Sequence, residues 1–258
     1  MSGEIYMAAV GALAYEKRLQ IISNNLANSN TVGYKQDHGR FRILDLSALP
    51  EGSTQNGVPL NPAQTELFWN QFNVYTDHTS GSLKNTGNDF DLALVGQGFF
   101  CVQTQDGIHY TRKGDFTLDE NGVLVSRNGW PVMGESGEIL VDSEEDPNQH
   151  KKFSVDEEGN ITVDGNQVDR LRLVDFPQPY KLTKVGEALF KPTDSGRGEV
   201  QTENLRVSQG FIELSNVDAV KMMTEMIEVL RGYESYQRII RSVDEINSKA
   251  INEIGQMT

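Results

Sequence analysis

Apolar positions along the chain keep two different periods. From the N-terminal end they fall at Ile5, Ala8, Ala12, Tyr15, Leu19, Ile22 and Leu26, alternately three and four residues apart. That is the heptad seam of a helix that packs on another helix. Small Ala8, Ala9 and Ala12 would let the neighbour come close. The seam runs into an amide-rich stretch, SNNLANSNTVGYK, Ser23 to Lys35, with four asparagines. Asparagine favours helix ends and turns, so the helix is expected to fray near Asn28 to Thr31. Buried without partners, those amides would cost about 1–3 kcal/mol each.

The C-terminal stretch repeats the helical pattern. Val217, Val220, Met223, Ile227, Leu230, Tyr233, Tyr236, Ile240, Val243, Ile246, Ala250 and Ile254 are each three or four residues apart. Ser215 or Asn216 is the expected N-cap, with Asp218 in the first turn. Glu234/Arg238 and Glu245/Lys249 form i,i+4 pairs in the favourable order. Gly232 is the one weak position, by about 1 kcal/mol relative to alanine. The expected helix is about 40 residues long, roughly 60 Å.

Between the ends the period drops to two. DLALV, FFCVQ, IHYTR, DFTL, VLVS and WPVMG read as short strands, with GQG, QDG, DENG and RNG as turns. KFSVD, NITVD and QVDRLRLVDF follow, split by EEG and DGN. No long amphipathic helix interrupts them, which argues against a parallel βαβ sheet and for an antiparallel one. The fold class is therefore α+β: N- and C-terminal helices paired as a coiled coil, with an inserted antiparallel β-rich domain. The expected boundaries are residues 1–30 plus 213–258 for the helical part and 31–81 for an extended connector. Residues 82–204 form the β domain and 205–212 a return linker. A two-helix hairpin buries little alone and needs further copies around it to be stable.

Composition narrows the function. The chain has 258 residues, a net charge of -14 and one cysteine. One cysteine excludes an internal disulfide or a multi-cysteine metal site. The acidity sits in the middle: from Glu135 to Arg170 eleven acids face three bases. Such a chain is a poor nucleic-acid binder. Mean hydropathy is -0.46, and no apolar run approaches the roughly 18 residues of a membrane span. The N-terminal stretch does not read as a secretory signal, because Glu4, Glu16, Lys17 and Arg18 break the apolar run.

Candidate chemistry is sparse. His38, His78, His109 and His150 lack metal-ligand spacing. GQGFF, Gly96 to Phe100, lacks the third glycine and the helix of a dinucleotide fingerprint and reads as a hairpin turn. Cys101 lies in a strand and reads as a buried inert thiol. Asp89/Asp91 and Glu144/Glu145/Asp146 read as surface charge, and the turn from Asp119 to Gly122 lacks EF-hand spacing. Met222, Met223 and Met226 read as helix-packing side chains. No catalytic, cofactor or metal residues are assigned, and the chain is not expected to be an enzyme.

Three blocks resemble a known family. NNLANSNTVGYK, Asn24 to Lys35, followed by Phe41, is similar to the N-terminal signature of bacterial flagellar basal-body rod and hook proteins. DFDLALVGQGFFCVQTQDGIHYTRKGDFTLDENGVLVSRNGWPVMG, Asp89 to Gly134, resembles their central block. SNVDAVKMMTEMIEVLRGYESYQRII, Ser215 to Ile240, resembles their C-terminal helix. Length and N-terminal sequence look most like the proximal-rod branch, with the distal-rod branch next. Lys221 stands where an acid is common, and Tyr236-Gln237 replaces a more frequent alanine–asparagine ending. The resemblance implies a non-enzymatic subunit that polymerises with itself and other rod and axial proteins into a hollow torque-carrying shaft. It implies export through the flagellar type III apparatus without signal cleavage, and a place in the periplasmic part of the basal body. No nucleic acid, membrane insertion or cofactor is expected.

The expected assembly interface follows from the seams and the amides. It comprises Ile5, Ala8, Ala12, Tyr15, Leu19, Ile22, Asn24, Asn25, Leu26 and Asn28, with Val217, Val220, Met223, Ile227, Leu230, Tyr233, Tyr236, Ile240 and Val243. Two other function classes compete: a binding module with the acidic β domain as receptor surface, and a hydrolase using an acid pair. The first needs no seams at both ends, and the second lacks any motif.

Overall fold

The computed structural model describes residues 3–41, 54–55, 58–59, 72–141, 152–193, 199–200 and 205–255. The side chain of Ile5, much of the expected connector, the acidic triplet Glu144/Glu145/Asp146, His150 and Asn204 lie outside the described residues. The chain divides into two compact units. One comprises Met1–Ser29, Gln36–Asp77 and Val217–Thr258, and the other Asn30–Lys35 with His78–Asn216.

The first unit is built on helix α1, Gly3–Ala27, and helix α2, Ala219–Gly255. Strands β1 (Asp37–Phe41) and β4 (Phe72–Thr76) pair antiparallel, and β2 (Thr54–Gln55) pairs with β3 (Val58–Pro59). Part of the stretch expected as a connector is thus a β ladder. Its residues lack alternation because Val74 and Tyr75 both stay exposed. The two helices pack directly. The Tyr15 and Tyr236 rings lie 5.5 Å apart. A Cβ on Gly232 would fall 2.1 Å from Tyr15 Cε1, and one on Gly11 would fall 2.3 Å from Tyr236 Cε1. Each tyrosine therefore rests on the other helix's glycine. Gly232, a flaw by helix propensity, is the seat of an aromatic ring.

Two expectations for α2 need correction. Its N-cap is Asp218, not Ser215 or Asn216: Asp218 Oδ1 accepts from Val220 N at 3.0 Å and Lys221 N at 3.1 Å. A carboxylate at that position satisfies two orphan amides and faces the positive helix end. The second correction concerns the seam. Met222 and Val229 are buried at 2% and 1% exposure, while Val220, Met223, Ile227 and Leu230 stand at 74%, 52%, 53% and 39%. From Met223 to Tyr236 is 13 residues. At about 100° per residue the apolar row has therefore rotated by about 140° around the helix. One continuous spacing pattern thus covers two faces. Met222, Val229 and Tyr236, seven apart, share the face that packs on α1.

The second unit holds strands β5 (Leu83–Asn85), β6 (Leu92–Val95), β7 (Phe99–Thr104), β8 (Gly107–Thr111), β9 (Phe116–Leu118) and β10 (Leu124–Ser126). β11 (Phe153–Val155), β12 (Asn160–Val163), β13 (Asn166–Arg170) and β14 (Leu173–Val174) follow. The last four are β15 (Leu182–Lys184), β16 (Leu189–Pro192), β17 (Arg206–Gln209) and β18 (Phe211–Glu213). Every described pairing is antiparallel. The largest sheet has the order β14-β7-β8-β16-β15, and a second is β11-β12-β13. Strand β7 is covered on both sides. Phe100 and Val102 join one apolar cluster with Leu92, Leu94, Leu124 and Ile161, while Phe99 and Cys101 join another with Tyr110, Phe176 and Phe190.

Residues 205–212, expected as a return linker, instead carry two strands. β17 pairs with β6, and β18 pairs with β5. RVSQ and FIE are too short for their alternation to stand out, and their partners lie more than 100 residues away. The GQG turn also differs. It is a corner between sheets rather than a hairpin, because β6 and β7 belong to different sheets.

Candidate functional site

Among the described residues no three His, Cys, Asp or Glu side chains gather as a metal site, and no helix is long and apolar enough to cross a membrane. His38 stacks on Tyr75, His78 packs among Phe99, Tyr180 and Phe190, and His109 Nδ1 lies 2.9 Å from Thr104 Oγ1. Asp119 Oδ1 accepts from Asn121 N at 2.9 Å and Val123 N at 2.8 Å, so this carboxylate closes its own turn. Cys101 is fully buried, and burial, against the opposing pull of Arg172 and with a smaller push from Glu199, raises its thiol to about 12. A thiol that far above neutral pH carries no thiolate for nucleophilic work.

A shallow hollow is lined by Glu135, Arg172, Leu173, Val174, Glu199 and Val200. Its charges are consumed internally. Arg172 Nη2 reaches Glu199 Oε2 at 2.6 Å, and Tyr110 Oη donates to Glu199 Oε1 at 2.6 Å. Burial lifts the Glu199 carboxyl, but the bonds from Tyr110 and Arg172 outweigh it and hold the group below its usual range. Burial and the bond to Glu199 push Tyr110 up. A carboxylate held ionised between two donors is no general acid.

Among the described residues, the helical unit carries an exposed apolar surface. The expected interface residues divide by position. On α1, Ala8, Ala12 and Ile22 are buried, while Tyr15, Leu19 and Leu26 are half-buried. On the C-terminal side Val217 is buried, and Tyr233, Tyr236, Ile240 and Val243 are half-buried. Val220, Met223, Ile227 and Leu230 form an exposed row at spacings of three, four and three, which puts them on one face. Single exposed apolar residues are ordinary, but an aligned row marks an interaction surface.

The amides have distinct partners. Asn25 is buried and pairs with backbone: Nδ2 donates to Asp37 O at 2.7 Å and Asp37 N donates to Oδ1 at 2.9 Å. Its side chain imitates a strand neighbour at the start of β1. Asn28 Nδ2 donates to Asn24 O at 2.9 Å, satisfying a terminal carbonyl of α1. Asn24 itself is exposed.

The sequence reading missed a buried ionic cluster in the β-rich unit. Lys35 Nζ lies 2.6 Å from Glu213 Oε1, and Arg112 Nη1 lies 3.3 Å from Glu213 Oε2. All three side chains are almost wholly removed from solvent. Lys35 Nζ also donates to Thr79 O at 2.8 Å, Gly81 N to Glu213 Oε1 at 2.8 Å, and Arg112 to Leu94 O at 3.1 Å and to Gly96 O. Two cations thus face one carboxylate, and the carbonyl oxygens of Thr79, Leu94 and Gly96 take further donors. Burial pulls the Arg112 guanidinium down, with Glu213 opposing. Residues 35 and 213 are separated by 178 positions, a distance at which no spacing rule operates. The one local signal is Gly33, whose φ of +66 and crowded site admit only glycine two residues before Lys35.

Three sequence profiles match the chain. One described as Flagella basal body rod protein covers residues 5–35, one described as Flagellar hook protein FlgE/F/G D1 domain covers 93–163, and one described as Flagellar basal body rod FlgEFG protein C-terminal covers 208–253. The chain is similar to the flagellar basal-body rod protein FlgG of Bacillus subtilis, 30% identical over 275 positions, covering 98% of this chain and 99% of the relative. It is also similar to the flagellar basal-body rod protein FlgF of Caulobacter vibrioides, 30% identical over 258 positions and the whole of both chains. The flagellar hook-basal body complex protein FlhO of Bacillus subtilis is 32% identical over 276 positions, 98% of each chain.

Proposed function

The chain belongs to the flagellar basal-body rod protein family, a family of structural subunits, and on that premise we propose that it builds the proximal part of the rod. The observation that carries this reading is the exposed row Val220, Met223, Ile227 and Leu230 on α2. A helix already packed on α1 has no reason to keep four aligned apolar side chains in water unless other subunits cover them. Neighbouring rod and axial subunits, in a heterologous contact repeated along a helical tube, supply that cover. In the assembled tube the helices pair as coiled coils, and the expected interface residues of both helices line the contacts between chains. Torque passes from motor to hook along that shaft.

Length favours the proximal position. The FlgF relative aligns over 258 positions, the length of this chain, whereas the FlgG relative needs 275 and therefore gaps. Identity is the same in both cases and does not discriminate. The subunit reaches the periplasmic rod through the flagellar export apparatus, without cleavage of a signal. A distal-rod place is the alternative.

Two measurements test this. Hook–basal bodies purified from the source cells should contain the chain, and its loss should abolish motility. In complementation, it should restore swimming to a strain lacking its proximal-rod subunit and fail in one lacking the distal-rod subunit. The reverse pattern moves the chain to the distal rod, and absence from purified basal bodies refutes the assembly reading.

A further inference from the structure

The β-rich unit joins the rest of the chain after Lys35, before His78 and after Asn216, besides the passage at Ser29. We propose that Lys35, Glu213 and Arg112 are a joint that ties these three chain ends into one body. Load entering the unit along any one of them is then shared by the others. The load itself rests on the rod reading above; the tie rests on geometry.

The three ends converge on a single carboxylate. From the first end, Lys35 Nζ reaches Glu213 Oε1 at 2.6 Å and Gly33 N donates to Glu213 O at 2.8 Å. From the second, Gly81 N donates to the same Oε1 at 2.8 Å, and Thr79 O accepts from Lys35 Nζ at 2.8 Å. From the third, Asn216 Nδ2 donates to Thr79 O and to Thr79 Oγ1, each at 3.2 Å, and Asn216 N donates to Tyr34 O at 3.4 Å. Each end is thus bonded to the other two. Arg112 then fixes Glu213 to the core strands, through its bond at 3.3 Å and its hold on Leu94 O. Lys184 adds a bond from Nζ to Lys35 O and lies 3.9 Å above the Tyr34 ring.

Bulk stability does not explain the placement. A buried ion cluster contributes little compared with apolar side chains of the same volume, and its attested use is to specify one arrangement. Charge-assisted bonds in a dry site are short and directional, and breaking one strands a charge. Those properties suit a junction where separate chain segments must keep one register. The cluster sits against the apolar core rather than apart from it: the Arg112 guanidinium lies 5.7 Å from the centre of the Phe99 ring.

The test is amide hydrogen exchange on the full chain, comparing the native protein with Lys35→Met. Methionine keeps the stem of the side chain, and Glu213 stays paired with Arg112. The expected result is exchange faster by at least about tenfold at the Gly33, Gly81 and Asn216 amides, with the β7 and β8 amides unchanged. Glu213→Gln should loosen the same three amides further. Unchanged exchange at those amides in Lys35→Met overturns the joint. So does acceleration spread evenly over the β strands, or a variant that does not fold, since the cluster would then belong to the core. Absence of the chain from basal bodies would refute the rod reading but would not alter these exchange rates.

Discussion

Gly33→Ala should be among the most damaging single-methyl changes in the β-rich unit. Gly33 has φ +66, and its Cβ would lie 2.5 Å from both the Arg112 carbonyl carbon and the Lys113 nitrogen. Those are backbone atoms of the strand end that carries the ionic cluster, and they cannot swing away. A left-handed alanine costs about 1–2 kcal/mol. Forcing a methyl into a closed site adds about 1–3 kcal/mol. The expected loss is therefore about 2–5 kcal/mol, against a total of about 5–15 for a domain of this kind. Gly87→Ala supplies the control. Its φ is +68, nearly the same, but nothing lies within 4 Å of the added Cβ. It should show the conformational cost alone, about 1–2 kcal/mol. Urea unfolding of both variants, followed by tryptophan fluorescence, to which Trp130 packed against the main apolar cluster contributes, separates the two contributions. At about 2 kcal/mol per molar the Gly33 variant should lose about 1–2.5 M in midpoint, and the control about 0.5–1 M. Equal shifts would show that the backbone at Arg112 gives way, and the steric argument would fail.

Four further outcomes are expected. Gly232→Ala should lower the thermal stability of the helical unit although helix propensity favours alanine by about 1 kcal/mol, because Tyr15 occupies that space; a higher melting temperature by circular dichroism would contradict the tyrosine–glycine seat. Ile227→Asp should leave folding of the isolated chain within about 0.5 kcal/mol yet block incorporation into basal bodies, whereas Val229→Asp, at a residue only 1% exposed, should unfold the helical unit; motile cells carrying Ile227→Asp would sink the interface. Asn25→Ala should cost about 1–3 kcal/mol because it removes a buried amide that makes two bonds to the Asp37 backbone, while Asn28→Ala should cost about 0.5 kcal/mol, a ranking that chemical denaturation decides. Stability should also fall at alkaline pH. Cys101 is raised from 9.0 to about 12, and Tyr110 and Tyr180 are raised, each first by burial and then by a carboxylate. Above about pH 9 the unfolded chain releases protons that the folded chain retains, so the stabilisation is complete below that pH and lost as pH rises. Thermal melts from neutral to pH 12 check the sign, and a melting temperature that rises above pH 9 would contradict it.

Local rules made much of this protein legible. Turn glycines and period-two runs located β7 to β13, because short antiparallel strands write their pairing into neighbouring sequence. The end of α1 at Ala27 followed from its asparagines, and the two terminal helices from their apolar spacing. Sequence spacing did not decide which face of α2 meets α1, because steps of three and four are tolerated equally while the row turns around the helix. That choice was made by two tyrosines finding two glycines on the opposite helix. β17 and β18 were invisible for a related reason: their partners are more than 100 residues away, and a four-residue strand carries too few side chains to declare its face. The bonds joining Lys35, Arg112 and Glu213 exist only in three dimensions. A charge is stable in a dry site when its partners arrive from other segments at hydrogen-bond distance, and that meeting is a property of the folded chain.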